Sequence, residues 1–209
     1  MRKLIAITQV TLDGVMQGPG GPEEDPSNGF TQGGWAIPFI DDEAGKAIAG
    51  TFAGEFDLLL GRRTYDIWTA YWPHHVDNPI GEAFAKATKY VATRSQGKLG
   101  WKVSKRIGPD AVDGVRKLKA SKGPPLQVWG SSDLLQSLIA ADLVDEYRLW
   151  VFPVVLGEGK RLFEPGVPPR GLSLVATQST ASGVLLNTYR PAGPVRKASA
   201  VGRPATRLK

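Results

Sequence analysis

The chain has 209 residues, a length that suits one domain; its 42% hydrophobic and 22% charged residues are ordinary globular values and exclude a disordered or collagen-like chain. Cysteine is absent, which excludes a disulfide scaffold, zinc–thiolate and iron–sulfur centres and a Cys nucleophile, and suits a reducing compartment. The formal charge of +6 is uneven: residues 191–209 hold five basic and no acidic side chains, leaving the first 190 residues at +1.

Residues 2–11, RKLIAITQVT, read as a strand ending in the Asp13-Gly14 turn, and are too weakly apolar for a signal peptide. Residues 14–34 contain seven Gly and three Pro, so this stretch is either a functional lid or a disordered surface insertion. A helix over 42–54 follows, with Ala44, Ala47, Ile48 and Phe52 on one face. FDLLL at 56–60 has no polar alternation, the pattern of a strand covered on both faces. Gly61-Arg62-Arg63 then leads to a helix opening at Thr64 and closed by Pro73.

A short helix over 79–87 precedes the strand KYVATR at 89–94, and 101–107 suits another strand. The spacing of Val112, Val115 and Leu118 predicts a helix over 110–121. LQVWG is a strand running into Gly130, and SDLLQSLIAA an amphipathic helix. A long strand is expected over 144–156, with Pro153 marking an edge or a bend. Its eight-residue apolar run, 149–156, is too short to span a membrane, and its LWVFPVVL is either a dimer edge or a buried central strand. Residues 172–179 and 183–190 read as a closing antiparallel hairpin. The whole predicts an α/β fold: a mixed, mainly parallel central sheet flanked by helices, with a C-terminal antiparallel hairpin. The domain spans 1–190, and 191–209, rich in Pro, Gly, Ala and Ser, is a basic disordered tail.

Three strand ends carry small or basic residues suited to phosphate. They are Gly61, Arg62, Arg63 and Thr64; Thr93, Arg94 and Ser95; and Gly130, Ser131, Ser132, Asp133 and Leu134. Helix N-termini offer free N–H donors and a partial positive charge, and guanidinium forks match phosphate oxygens. Three such ends at the carboxyl edge of one sheet would cradle a dinucleotide. Taken singly, each is ordinary capping or a solvated Arg. No G-x-G-x-x-G or Walker loop is present.

LLLGRRTYDIW resembles the strand–Gly-Arg-x-Thr–helix segment of dihydrofolate reductases, and VATRS their second phosphate-binding strand end. TLDG, the segment WGSSDLLQSLIAADLVDEYRLWVFPVVLGEGKRLF and the final hairpin are similar to the reductase domain of the bacterial bifunctional riboflavin-biosynthesis deaminase-reductase. The resemblance runs over roughly residues 2–190. It implies a dihydrofolate-reductase-like fold, NADPH as cofactor, a homodimer, and a cytoplasmic oxidoreductase acting on a small pterin- or pyrimidine-like molecule, as dihydrofolate reductase or phosphoribosylaminouracil reductase does.

By position, Gly61 to Thr64 would hold cofactor phosphates, Thr93 to Ser95 the adenosine 2′-phosphate, and Gly130 to Leu134 the pyrophosphate. Many relatives carry two Gly where this chain has Gly130-Ser131; the Ser would either strain the backbone or donate its hydroxyl to phosphate. On the substrate side, Trp35 and Asp41 fall near the place of the dihydrofolate reductase acid, and Asp13 near the nicotinamide pocket. Asp41 equally suits a helix N-cap, and Asp13 an Asp-Gly turn. His74 and His75 are adjacent and make no metal site. Two other readings stand beside the reductase: a non-catalytic NADPH-binding sensor on the same fold, and a nucleic-acid-associated protein acting through its basic tail.

Overall fold

The computed structural model describes residues 1–198. Eight strands form one sheet in the order β4-β3-β2-β5-β1-β6-β8-β7. The strands are β1 Leu4–Thr11, β2 Asp57–Gly61, β3 Lys89–Ala92, β4 Ser104–Arg106, β5 Leu126–Trp129, β6 Glu146–Phe152, β7 Leu172–Ser179 and β8 Leu185–Pro191. Pairings from β4 through β6 are parallel, while β8 runs antiparallel to β6 and β7 antiparallel to β8. The mixed α/β sheet with a closing hairpin is therefore as the sequence predicts. Five α-helices lie among the described residues: α1 Asp42–Gly50, α2 Arg62–Tyr71, α3 Pro79–Lys86, α4 Ala111–Ala120 and α5 Ser132–Ala140.

The apolar run in β2 is explained by its two faces. Leu59 packs with β1, β5, α4 and α5, whereas Leu58 and Leu60 pack with Tyr65 of α2 and Phe84 of α3. Period-two alternation likewise sends Leu4 and Ala6 of β1 to the α4–α5 side, and Ile5 and Ile7 to Trp35, Trp150 and Phe152.

Two local expectations change, and one open alternative is resolved. Helix α2 opens at Arg62 rather than Thr64, because Gly61 is extended (φ −68°, ψ 158°) and serves as its N-cap, which puts both arginines in the first turn. Strand β6 ends at Phe152, before Pro153, since proline cannot donate to the ladder. That strand is also internal, paired with β1 and β8, so LWVFPVVL is not a dimer edge. Its apolar character comes from burial in the sheet; the free edges are β4 and β7.

The Gly-rich stretch 14–34 is neither structureless nor detached. Gly34 N–H donates to Gly18 O at 2.8 Å, Trp35 Nε1 donates to Gln17 O at 2.8 Å, and Phe30 is buried beneath. At the other end, Ala192 N–H bonds Gly171 O and Gly171 N–H bonds Gly193 O, so the described hairpin runs past Pro191 into the expected tail. Residues 199–209, where most of that tail falls, lie outside the described residues.

Candidate functional site

A cleft of about 1070 Å³ opens at the carboxyl ends of β1, β2, β3 and β5. It brings together eleven of the twelve residues expected to hold a cofactor: Gly61 to Thr64, Thr93, Arg94 and Gly130 to Leu134. Ser95 stands just outside the lining; its amide donates to Thr93 Oγ1 at 3.1 Å and its hydroxyl accepts from Gly97 N–H at 3.1 Å, closing the turn after β3.

The helix ends decide what the cleft can hold. Helices α1, α3 and α4 are capped by the side chains of Asp41, Asn78 and Asp110, which accept from first-turn amides. Helices α2 and α5 begin at Gly61 and Ser131 with no side-chain cap. Both uncapped N-termini open into the cleft, beside the Asp110-capped start of α4, so the free amides and dipoles of α2 and α5 face it together. The lining carries Arg62, Arg63, Arg94 and Lys160 against Glu24, Asp25, Asp66, Asp110 and Asp133, so net side-chain charge does not make it positive. The helix ends do.

Ser131 organises this floor. Its backbone sits in the left-handed region (φ 59°, ψ 53°), where only Gly is unstrained. Its Oγ accepts from Gly61 N–H at 3.0 Å and lies 3.0 Å from Thr64 Oγ1, tying the ends of β2 and β5 to the first turn of α2. Both sequence readings of this Ser are thereby addressed: the backbone is strained, and the hydroxyl is already engaged within the protein.

The opposite wall was not found from the sequence. Ile7, Thr8 and Gln9 of β1, Met16 to Pro19, Glu24, Asp25 and Lys160 all line the cleft. The strand-end rule could have flagged the β1 residues; Met16 to Pro19, Glu24 and Asp25 fall in the Gly-rich stretch 14–34 read as a lid or an insertion, which marked the segment but not its individual residues. Asp25 accepts from Lys160 Nζ at 2.6 Å and Ser27 Oγ at 2.6 Å. Burial pushes its carboxyl up, but the hydrogen bonds from Lys160 and Ser27 and the ammonium charge outweigh this and hold it below the ordinary carboxylate value. Glu24 moves the other way: burial raises it, helped by the neighbouring Asp25 charge, against a bond from Gly20 N–H. Trp68 and Trp129 supply aromatic wall.

The substrate-side expectations find other roles. Trp35 is a core residue, edge-on to Phe152 with ring centroids 5.4 Å apart, and is not on the cleft lining. Asp41 takes the capping alternative. Its Oδ1 accepts from Ala44 N–H and its Oδ2 from Ser182 N–H, both at 2.8 Å, and these bonds hold its pKa at about 2. Asp13 likewise stands outside the lining: it accepts from Thr11 Oγ1 at 2.5 Å and Gly157 N–H at 2.8 Å, stapling the 154–161 loop to the end of β1. His75 stacks on Tyr71, and no metal-holding cluster of His, Cys, Asp and Glu occurs among the described residues. No helix there is long and apolar enough to cross a membrane.

Comparison with known proteins bears on the family and the fold. The family model of the RibD C-terminal domain matches residues 2–186. The chain is 32% identical over 197 residues to the uncharacterized protein YyaP of Bacillus subtilis strain 168, covering 90% of this chain and 94% of that one. A Shewanella sp. PV-4 protein assigned to riboflavin biosynthesis superposes with a TM-score of 0.63 at 18% identity, over 91% of this chain and 99% of that one. The dihydrofolate reductase of Enterococcus faecalis, solved with NADP(H) and RAB-propyl, superposes with a TM-score of 0.59 at 15% identity, over 90% and 96% of the two chains. At these identities the two structures show the fold.

Proposed function

The chain belongs to the RibD C-terminal domain family, and from that premise we propose that it is an NADPH-dependent reductase of a small heterocyclic substrate, pterin- or pyrimidine-like. The observation that carries the reading is the pair of uncapped helix N-termini, α2 and α5, facing one cleft. They fit a dinucleotide: first-turn amides at Arg62 to Thr64 and Ser132 to Leu134 would hold its phosphates. Arg94, exposed at the end of β3 beside Thr93, would take the 2′-phosphate that distinguishes NADPH from NADH.

When bound, NADPH supplies a hydride to an electrophilic carbon. The chain's own part is to hold donor and acceptor about 3–3.5 Å apart and keep water out. Ile7, Met16 and Trp129 give the apolar wall for that, and Thr8 and Gln9 the polar edge. Glu24 is the carboxyl on the lining whose pKa is raised, which suits it to deliver a proton better than Asp13 or Asp41. Steady-state oxidation of NADPH with dihydropterin and aminouracil substrates tests turnover; Glu24→Gln should lower kcat with little change in KM.

A second reading, an NADPH-binding sensor without turnover, is favoured by one observation: both acids expected on the substrate side are spent on capping and stapling. It predicts NADPH binding with no oxidation by any substrate in a broad panel. Either reading suits a cytoplasmic, Cys-free protein. The dimer moves to β7, an edge strand without a charged residue and with Leu174 and Val175 about half exposed.

A further inference from the structure

Three arginines stand at the strand ends, and they are engaged differently. Arg62 donates through Nε to Asp66 at 2.8 Å, one turn along its own helix. Arg94 is exposed and enters no ion pair among the described residues. Arg63 reaches out of its own element: Nη1 meets Asp25 Oδ1 at 3.2 Å, a residue 38 positions earlier in the Gly-rich loop.

The two partners are not equally held. Asp25 is fixed from below by Lys160 Nζ and Ser27 Oγ, each at 2.6 Å, and its side chain is 14% exposed. The Arg63 side chain is 58% exposed and makes no other hydrogen bond among the described residues. Such an ion pair is weak, because water screens it and a long side chain must be ordered to make it. A phosphate at the first turn of α2 offers the same guanidinium a bidentate, more highly charged partner. Both Arg63 and Asp25 line the cleft, so the exchange needs rotation of one side chain, not movement of the loop.

We propose that Asp25 is a positioning residue for the cofactor: it holds the Arg63 guanidinium at the mouth of the cleft and yields it to a cofactor phosphate on binding. Asp25 thus competes with the dinucleotide and sets its affinity, while Lys160 and Ser27 keep the loop seated after the exchange. The inference rests on the NADPH reading above.

The test is a double-mutant cycle read by NADPH affinity, from quenching of intrinsic Trp fluorescence. Asp25→Asn should tighten NADPH about fivefold in the otherwise unchanged protein and leave it unchanged in an Arg63→Ala background. Equal tightening in both backgrounds would mean a general charge effect, and no tightening would mean no competition; either overturns the proposal. Hydrogen exchange of the unmodified protein covers the case in which Asp25→Asn does not fold. NADPH should protect the first turn of α2 and leave residues 20–27 unchanged or faster, whereas strong protection of both would also overturn it. NADPH binding to none of the four proteins would overturn this inference and the cofactor reading together.

Discussion

The hydroxyl of Ser131 accepts the amide of Gly61 at 3.0 Å, joining the ends of two neighbouring parallel strands through one side-chain atom. The same residue has a left-handed backbone that favours glycine, so its hydroxyl and its strain act in opposite directions. Ser131→Ala keeps the strain and leaves the Gly61 amide without its acceptor, a loss of about 1–2 kcal/mol. Ser131→Gly loses the same bond but recovers about 1 kcal/mol of backbone strain. Urea unfolding should therefore rank native, then Gly, then Ala; Ala more stable than Gly would show that the left-handed backbone costs nothing here.

Asp41 provides a test of capping against catalysis. Its carboxyl is held at about 2, below the ordinary 3.8, by amides of Ala44 and Ser182. A depressed folded-state pKa gives stability that is present above about 4 and lost as pH falls toward 2. Asp41→Asn should lower the melting temperature at neutral pH and flatten the acid limb over that window, with NADPH affinity and turnover unchanged. A large fall in kcat in a folded Asp41→Asn protein would return the residue to the active site.

Lys89 is fully buried at the start of β3, with Nζ 3.2 Å from Ala85 O and 4.6 Å from the Trp101 ring centroid. Burial lowers its pKa to about 8 from 10.5. Between those values the unfolded chain binds more protons than the folded one, so this group makes stability rise with pH. Lys89→Met should remove that rise, seen as a difference between the two proteins' stability curves from pH 8 to 10.5. Parallel curves would place the ammonium in an environment that solvates it.

Much of the fold was legible because its signals are local. FDLLL announced a strand covered on both faces, and Gly at the ends of β2 and β5 marked where chain passes into helix. The residues expected to hold a cofactor came together in one cleft, since successive residues at a strand end stay together in space. The loop-side wall was hidden for the opposite reason. Asp25 and Lys160 meet across 135 positions, and no period or motif encodes that contact. Asp41 and Asp13 look the same in sequence whether they catalyse or cap; their hydrogen bonds to Ser182 and Gly157, over 140 residues away, separate the two. LWVFPVVL left two alternatives open for a simple reason: a sheet interior and an apolar interface select the same side chains.

Strand β7 is eight residues long with no charged side chain, and a register shift near Val175 is the one irregularity along it. If two copies pair through this edge, Val175→Lys should convert a dimer to a monomer in sedimentation at micromolar concentration, with unchanged NADPH affinity. A native protein that sediments as a monomer, or a Val175→Lys protein that remains dimeric, would remove β7 as the contact.

The most direct measurement is titration of the purified protein with NADPH and, separately, NADH, followed by intrinsic fluorescence, with Trp68 and Trp129 on the cleft wall as reporters. Saturable binding with NADPH at least tenfold tighter than NADH, and loss of that preference in Arg94→Ala, is the predicted result. Binding of neither nucleotide would contradict the account, because the uncapped ends of α2 and α5 would then be structural features without a ligand.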